Sequence, residues 1–115
     1  SREIFINDYK NCINDNPYLE GYVFCIKDKI LGYSMIAKSF STEFGKNCLW
    51  FEDLFVKKEY RCKGIITNFF QYIEKKYPNY LYKLEVEEYN KNALFAYKKS
   101  GFLELPYKEM VKYNF

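Results

Sequence analysis

The chain has 115 residues, enough for one domain with a modest core, and its 49% hydrophobic and 29% charged content excludes a disordered segment as its main part. Histidine is absent, which excludes Ser-His, Cys-His and His-metal chemistry and leaves carboxylate, lysine, tyrosine or water as the general base. A formal net charge of +3 suits an anionic small ligand but falls short of a nucleic-acid surface, and no apolar run reaches the length of a membrane span.

Apolar residues Ile4, Phe5, Tyr9 and Ile13 are spaced for an amphipathic helix over residues 1–14, ended by Asn14-Asp-Asn-Pro17. Gly21 to Ile26 reads as a strand, Asp28-Lys29 as a tight turn, and Ile30 to Phe40 as the return strand. Phe44 to Asn47 turns the chain into a third strand, Cys48 to Val56, which completes an antiparallel meander. A helix begins near Gly64, with Ile66, Phe69, Phe70 and Ile73 on its buried face, and closes near Lys76 before Pro78-Asn79. After this crossover the strand Tyr80 to Glu88 should lie parallel to Cys48–Val56. Asn90 caps a second helix, Lys91–Ser100, with Gly101 as its C′ residue. Phe102–Leu105 and Tyr107–Tyr113 read as a closing pair of strands around Pro106. The fold class is α/β: an antiparallel meander followed by a parallel strand reached through a helix, in one mixed sheet and one domain over residues 1–115.

Chemistry concentrates between Cys48 and Thr67. The adjacent carboxylates Glu52 and Asp53 interrupt a strand that should be continuously apolar if both its faces are covered. They are either a buried ion pair with lysine or functional groups. Strand alternation puts one on each face unless a bulge redirects them. The basic turn that follows opens into a helix, so backbone N–H groups and the positive helix end converge, with Arg61 and Lys63 adding charge and Gly64 allowing close approach. Such a unit is a phosphate cradle, or an ordinary basic helix start. Of the four cysteines, Cys12, Cys25 and Cys48 sit in apolar patterns as small buried hydrophobes, and Cys62 lies in the electropositive turn.

Val56 followed by Arg61-Cys62-Lys63-Gly64-Ile65-Ile66 resembles the Arg/Gln-x-x-Gly-x-Gly/Ala pyrophosphate loop of the GNAT superfamily of N-acetyltransferases. Downstream, Glu85-Val86 with Asn90-Lys-Asn-Ala93 and Tyr97-Lys-Lys-Ser-Gly101-Phe102 is similar to that family's Asn-x-x-Ala-x-x-x-Tyr-x-x-x-Gly-Phe element. The two elements occur in the family's order, and the resemblance covers roughly residues 20 to 115. It implies acetyl-CoA as co-substrate, no metal, and transfer of acetyl to a primary amine by direct attack.

The resemblance also assigns residues. Coenzyme A pyrophosphate would be held by backbone N–H groups of Cys62, Lys63, Gly64, Ile65, Ile66 and Thr67, beside Arg61. The pantetheine arm would enter between splayed parallel strands and pair with backbone near Leu54, Phe55 and Val56, with Asn90 and Asn92 as further contacts. Asn90 is equally a helix cap. Glu52, in preference to Asp53, would accept the amine proton through water, and Tyr97 would donate to the departing thiolate; otherwise Tyr97 is a packed tyrosine with its hydroxyl at the rim. A strand bulge belongs to this pattern, with a backbone N–H stabilising the oxyanion. Glu85 and Glu87, beside Lys83, read mainly as a solvated face.

The chain departs from the family pattern at Ile66, where the family has Gly or Ala, and at Cys62, where Gly is common; both bear on cofactor affinity. The usual first strand and helix also have no counterpart before residue 1. These departures support an alternative, a non-catalytic GNAT-like module that binds coenzyme A or a partner protein. The expected partner is a small-molecule or peptide amine, with the acidic pair favouring a cationic one. Nucleic acid and membrane are not expected partners, a homodimer is compatible with the reading, and the expected location is the cytoplasm.

Overall fold

A computed structural model describes residues 5–8 and 16–115. Its contacts group the chain into two compact units, the first ending at Glu85 and the second running from Val86 to Phe115. The first unit holds a five-stranded sheet in sequential order: β1 (Phe5–Asp8), β2 (Leu19–Ile26), β3 (Lys29–Ser41), β4 (Lys46–Val56) and β5 (Leu81–Leu84). The first four pair antiparallel, and β5 pairs parallel to β4, reached through a 3-10 turn at Lys58–Tyr60 and the helix α1 (Ile65–Lys76). The second unit contains α2 (Lys91–Lys99).

The meander, the crossover and the parallel pairing match the sequence reading. Three expectations are corrected. Phe5–Asp8 is a strand, not part of a helix, because its residues pair in register with β2 from Phe5↔Cys25 to Asp8↔Tyr22. A short apolar run fits either period, and the ladder decides it; the rest of that expected helix lies outside the described residues. The strand expected over Tyr80–Glu88 stops at Leu84, where its pairing with β4 stops. Residues 102–115 contain no strand, and Leu103, Leu105, Tyr107, Met110, Val111 and Tyr113 are exposed. Alternating apolar residues make a strand only where a ladder partner exists, and a lone hairpin is marginal in water.

Packing of α1 on the sheet sets the core. Phe69 is fully buried, with its ring 4.9 Å from Phe24, 5.5 Å from Tyr22 and 5.9 Å from Phe51, and Phe70 lies 5.3 Å from Phe51. Burying one such ring contributes about 1.5–3 kcal/mol. Ile65 and Ile73 complete the buried face of the helix.

The far end of α1 is held by a charge cluster that sequence patterning did not disclose. Glu20 on β2 is only 8% exposed. It accepts from the hydroxyls of Tyr22 and Tyr77 and pairs with Lys38 Nζ at 2.5 Å and Lys76 Nζ at 3.5 Å. Burial pushes the carboxyl up, but the hydrogen bonds from Lys38, Tyr22 and Tyr77 and the charge of Lys76 outweigh it and hold the pKa at about 2. A folded-state pKa below the ordinary value of 4.5 means stability that is fully present above that value and is lost as pH falls toward about 2. The contribution at neutral pH is on the order of 3 kcal/mol. Denaturant titrations at a series of pH values should therefore show a decline below pH 4.5 that Glu20→Gln largely removes, together with lower stability of that variant at pH 7. Parallel pH curves for the two proteins would refute this role.

Candidate functional site

Three features position the end of β4. The first is a bulge. Ile36 pairs with Phe51, but Met35 pairs with Asp53, so Glu52 is an extra residue in β4. This shifts the phase of alternation: Leu49 and Phe51 lie on the α1 side before the bulge, and Leu54 and Val56, opposite Ser34 and Gly32, lie there after it. Glu52 and Asp53 are both exposed, which removes the alternative of a buried ion pair with lysine.

The second feature is an unpaired edge. Strand β5 pairs with β4 only along Cys48–Phe51, whereas β4 runs on to Val56. Lys57 N–H donates to the Leu31 carbonyl at 2.8 Å, which extends the ladder past Tyr33↔Phe55. Hydrogen-bonded pairs alternate along an antiparallel ladder, so Phe55 turns its backbone groups toward β3, and Leu54 and Val56 turn theirs toward the gap beyond Leu84. Of the three expected pantetheine contacts on β4, then, Leu54 and Val56 turn backbone groups to the gap, where the Val56 carbonyl already accepts from Arg61 Nε. Phe55 presents its exposed ring, 5.6 Å from Tyr33 and 5.9 Å from the Arg61 guanidinium.

The third feature is close approach. A Cβ on Gly32 would stand 2.1 Å from the Phe55 carbonyl oxygen, so only glycine lets β3 and β4 meet there. Beside it, Ser34 Oγ donates to the Asp53 carbonyl at 2.8 Å.

The anion cradle is expected in the turn after β4. Arg61 N–H donates to the Lys58 carbonyl at 3.3 Å, and the next backbone bond in the chain is Asn68 N–H to the Gly64 carbonyl at 2.9 Å. Between them, no protein group among the described residues accepts from the N–H groups of Cys62, Lys63, Gly64, Ile65, Ile66 or Thr67. Gly64 is the N-cap, in left-handed conformation with φ 81°, and supplies no side-chain cap. Cys62 is also left-handed, with φ 61°. Alternating handedness gathers successive N–H groups into a concavity suited to an anion. Glycine is common in the family at the Cys62 position for a physical reason: a left-handed non-glycine residue costs roughly 1–2 kcal/mol. Arg61 is partly committed elsewhere, its Nε donating to the Val56 carbonyl at 2.9 Å. Ile66 is half-buried.

In the second unit, Asn90 caps α2, its side chain accepting from Ala93 N–H at 3.2 Å. Gly101, with φ 101°, ends it. Gly101 N–H bonds to the Lys98 carbonyl and Phe102 N–H to the Tyr97 carbonyl, each at 3.0 Å, and the Tyr97 and Phe102 rings meet at 6.1 Å. That is a complete Schellman motif with its hydrophobic contact. The Gly-Phe pair therefore fixes the C-terminal turn to which Tyr97 belongs. Tyr97 is half-buried, and burial pushes its hydroxyl pKa up, so the hydroxyl is protonated at neutral pH. Asn92 is exposed.

The sequence profile of the Acetyltransferase (GNAT) family matches residues 2–102. The chain belongs to the GNAT family. A possible acetyltransferase from Clostridium difficile 630 is 31% identical, covering 92% of this chain and 72% of its own, with a TM-score of 0.70. Two further structures share the GNAT fold. AAC(6')-Iy in complex with the bisubstrate analog CoA-S-monomethyl-acetylneamine has a TM-score of 0.79 at 10% identity, covering 97% of this chain and 99% of its own. An aminoglycoside acetyltransferase from an uncultured soil metagenomic sample has a TM-score of 0.76 at 13% identity, with coverages of 97% and 99%. No curated protein sequence matches the chain.

Within this GNAT frame, sequence reasoning missed Gly32, Ser34 and the bond from Arg61 to Val56. A phase slip was nevertheless visible. Leu49, Phe51, Leu54 and Val56 alternate without fault once Glu52 is set aside, which marks Glu52 as the inserted residue. Nothing comparable distinguishes Ser34.

Proposed function

We propose that this GNAT protein, as a single domain over residues 1–115, is a cytoplasmic N-acetyltransferase that moves the acetyl group of acetyl-CoA to a primary amine. The observation that carries the reading is the succession of a bulged strand that outruns its parallel partner and a run of six N–H groups without acceptors among the described residues, from Cys62 to Thr67. The run fits a pyrophosphate, and the edge fits an amide-bearing arm that pairs like a short strand.

In this reading Cys62 to Thr67 hold the pyrophosphate with their N–H groups, and Lys63 and the free donors of Arg61 add charge. Leu54 and Val56 pair with the arm. Glu52, exposed at the bulge, takes the proton from the amine through water, with Asp53 as its neighbour. The amine nitrogen bonds to the thioester carbon, and the carbon–sulfur bond breaks. The Leu54 N–H faces the oxygen on which negative charge develops. Tyr97 gives its proton to the departing thiolate and regains one from solvent. Two exposed carboxylates favour a cationic acceptor.

The deciding experiment incubates the protein with acetyl-CoA and a panel of polyamines, aminoglycosides, amino acids and peptides, and follows free thiol. Aminoglycosides belong on the panel because acetyltransferases of that class share the fold. Amine-dependent thiol release is the expected result. Coenzyme A binding with no release from any amine would overturn it in favour of a binding module.

A further inference from the structure

We propose that Ser34 is a positioning residue for acetyl transfer: its hydroxyl fixes the peptide plane that aims the Leu54 N–H at the reacting carbonyl. The inference rests on the transfer reading above. Ser34 is fully buried, at 0% exposure, and its hydroxyl donates to the Asp53 carbonyl at 2.8 Å. Asp53 C=O and Leu54 N–H belong to one trans peptide unit, so they point in opposite directions. Holding the carbonyl toward β3 therefore turns the N–H outward, into the gap left where β5 ends at Leu84.

The bond sits where it is needed. A bulge disturbs the ladder around it, so peptide orientation next to the bulge is less constrained by strand pairing than elsewhere. Glu52 is the inserted residue and Asp53 follows it directly. Ser34, opposite Leu54 in register, adds a side-chain anchor to that peptide. On the other side of Leu54, the approach of Gly32 to the Phe55 carbonyl and the bond from Lys57 to Leu31 hold the next stretch against β3. The reactive N–H is thus oriented from both sides by groups that never touch substrate. Preorganised donors act because they need no reorientation as charge develops.

The test compares Ser34→Ala, Ser34→Cys and Ser34→Thr with the parent. Cysteine nearly keeps the volume with a weak donor, and threonine keeps the hydroxyl. In ligand-free protein, the Leu54 backbone amide resonance should move in Ser34→Ala, move less in Ser34→Cys and return in Ser34→Thr. Coenzyme A affinity should stay within about threefold, while kcat falls about tenfold to hundredfold, less than the 10²–10³ lost with an oxyanion donor itself. Threonine should restore most of the rate. Should alanine prevent folding, the cysteine and threonine proteins carry the same comparison. An unmoved Leu54 resonance with unchanged kcat would overturn the proposal. So would parallel losses of kcat, coenzyme affinity and stability that threonine does not repair. A parent inactive on every amine, with Leu54 still responding to Ser34, would refute the transfer reading and with it the catalytic half of this proposal, leaving only the peptide orientation.

Discussion

Replacing Gly64 with aspartate should abolish coenzyme A binding, a loss of at least about a hundredfold in affinity, while the core stays folded. Two effects add. The left-handed conformation at Gly64, φ 81°, suits glycine best and strains a β-carbon-bearing residue, aspartate and asparagine less than most. The new carboxylate then stands at a helix N-terminus among the N–H groups proposed to hold phosphate, where it would repel the ligand while mimicking it. A β-carbon at this position meets nothing within 4 Å, so no steric damage spreads to the core. Gly64→Asn separates the terms, because asparagine tolerates the left-handed region and carries no charge. It should retain most of the affinity. Calorimetric titration of coenzyme A into the three proteins, with thermal melts alongside, checks this; undiminished affinity in the aspartate variant would remove the loop from the binding site.

Tyr97→Phe should keep the fold and the coenzyme affinity but lose roughly 10²-fold in turnover, the low end for a general-acid group. The ring still packs against Phe102, and the Schellman turn is made by backbone, so neither depends on the hydroxyl. Burial raises the hydroxyl pKa, so the oxygen keeps its proton at neutral pH and is a hydrogen-bond donor, the form the proposed role requires. An interaction made only as that charge develops lowers kcat and kcat/KM together and leaves KM nearly unchanged. Steady-state rates for both proteins decide it. Equal turnover would remove Tyr97 from the chemistry.

The sequence disclosed what local rules control. Apolar periodicity located β2, β3, β4 and α1, and the Asn90 and Gly101 caps bracketed α2 to within a residue. The run of N–H groups at the start of α1 was legible because it is a backbone feature written in one glycine and a helix start. What stayed hidden depends on partners distant in the chain. Phe5–Asp8 has a helix-compatible pattern and becomes a strand only because β2 is beside it. Residues 102–115 have a strand-compatible pattern and remain irregular without a ladder. Ser34 and Glu20 look like ordinary polar residues until the sheet brings Asp53 to one and two lysines and two tyrosines to the other.

The phase slip at Glu52 carries a consequence for how such a chain evolves. Without that one residue, Asp53 would follow Phe51, and the pairs Met35↔Asp53, Ser34↔Leu54 and Gly32↔Val56 would continue the ladder unbroken. Leu49, Phe51, Leu54 and Val56 would all remain beneath α1, and no core residue would change its neighbours. Folding alone therefore places little demand on Glu52, and what it adds is the distortion of the strand itself. A single codon separates an evenly paired strand from a bulged one, and dropping it would alter the edge of β4 while leaving the core packing in place.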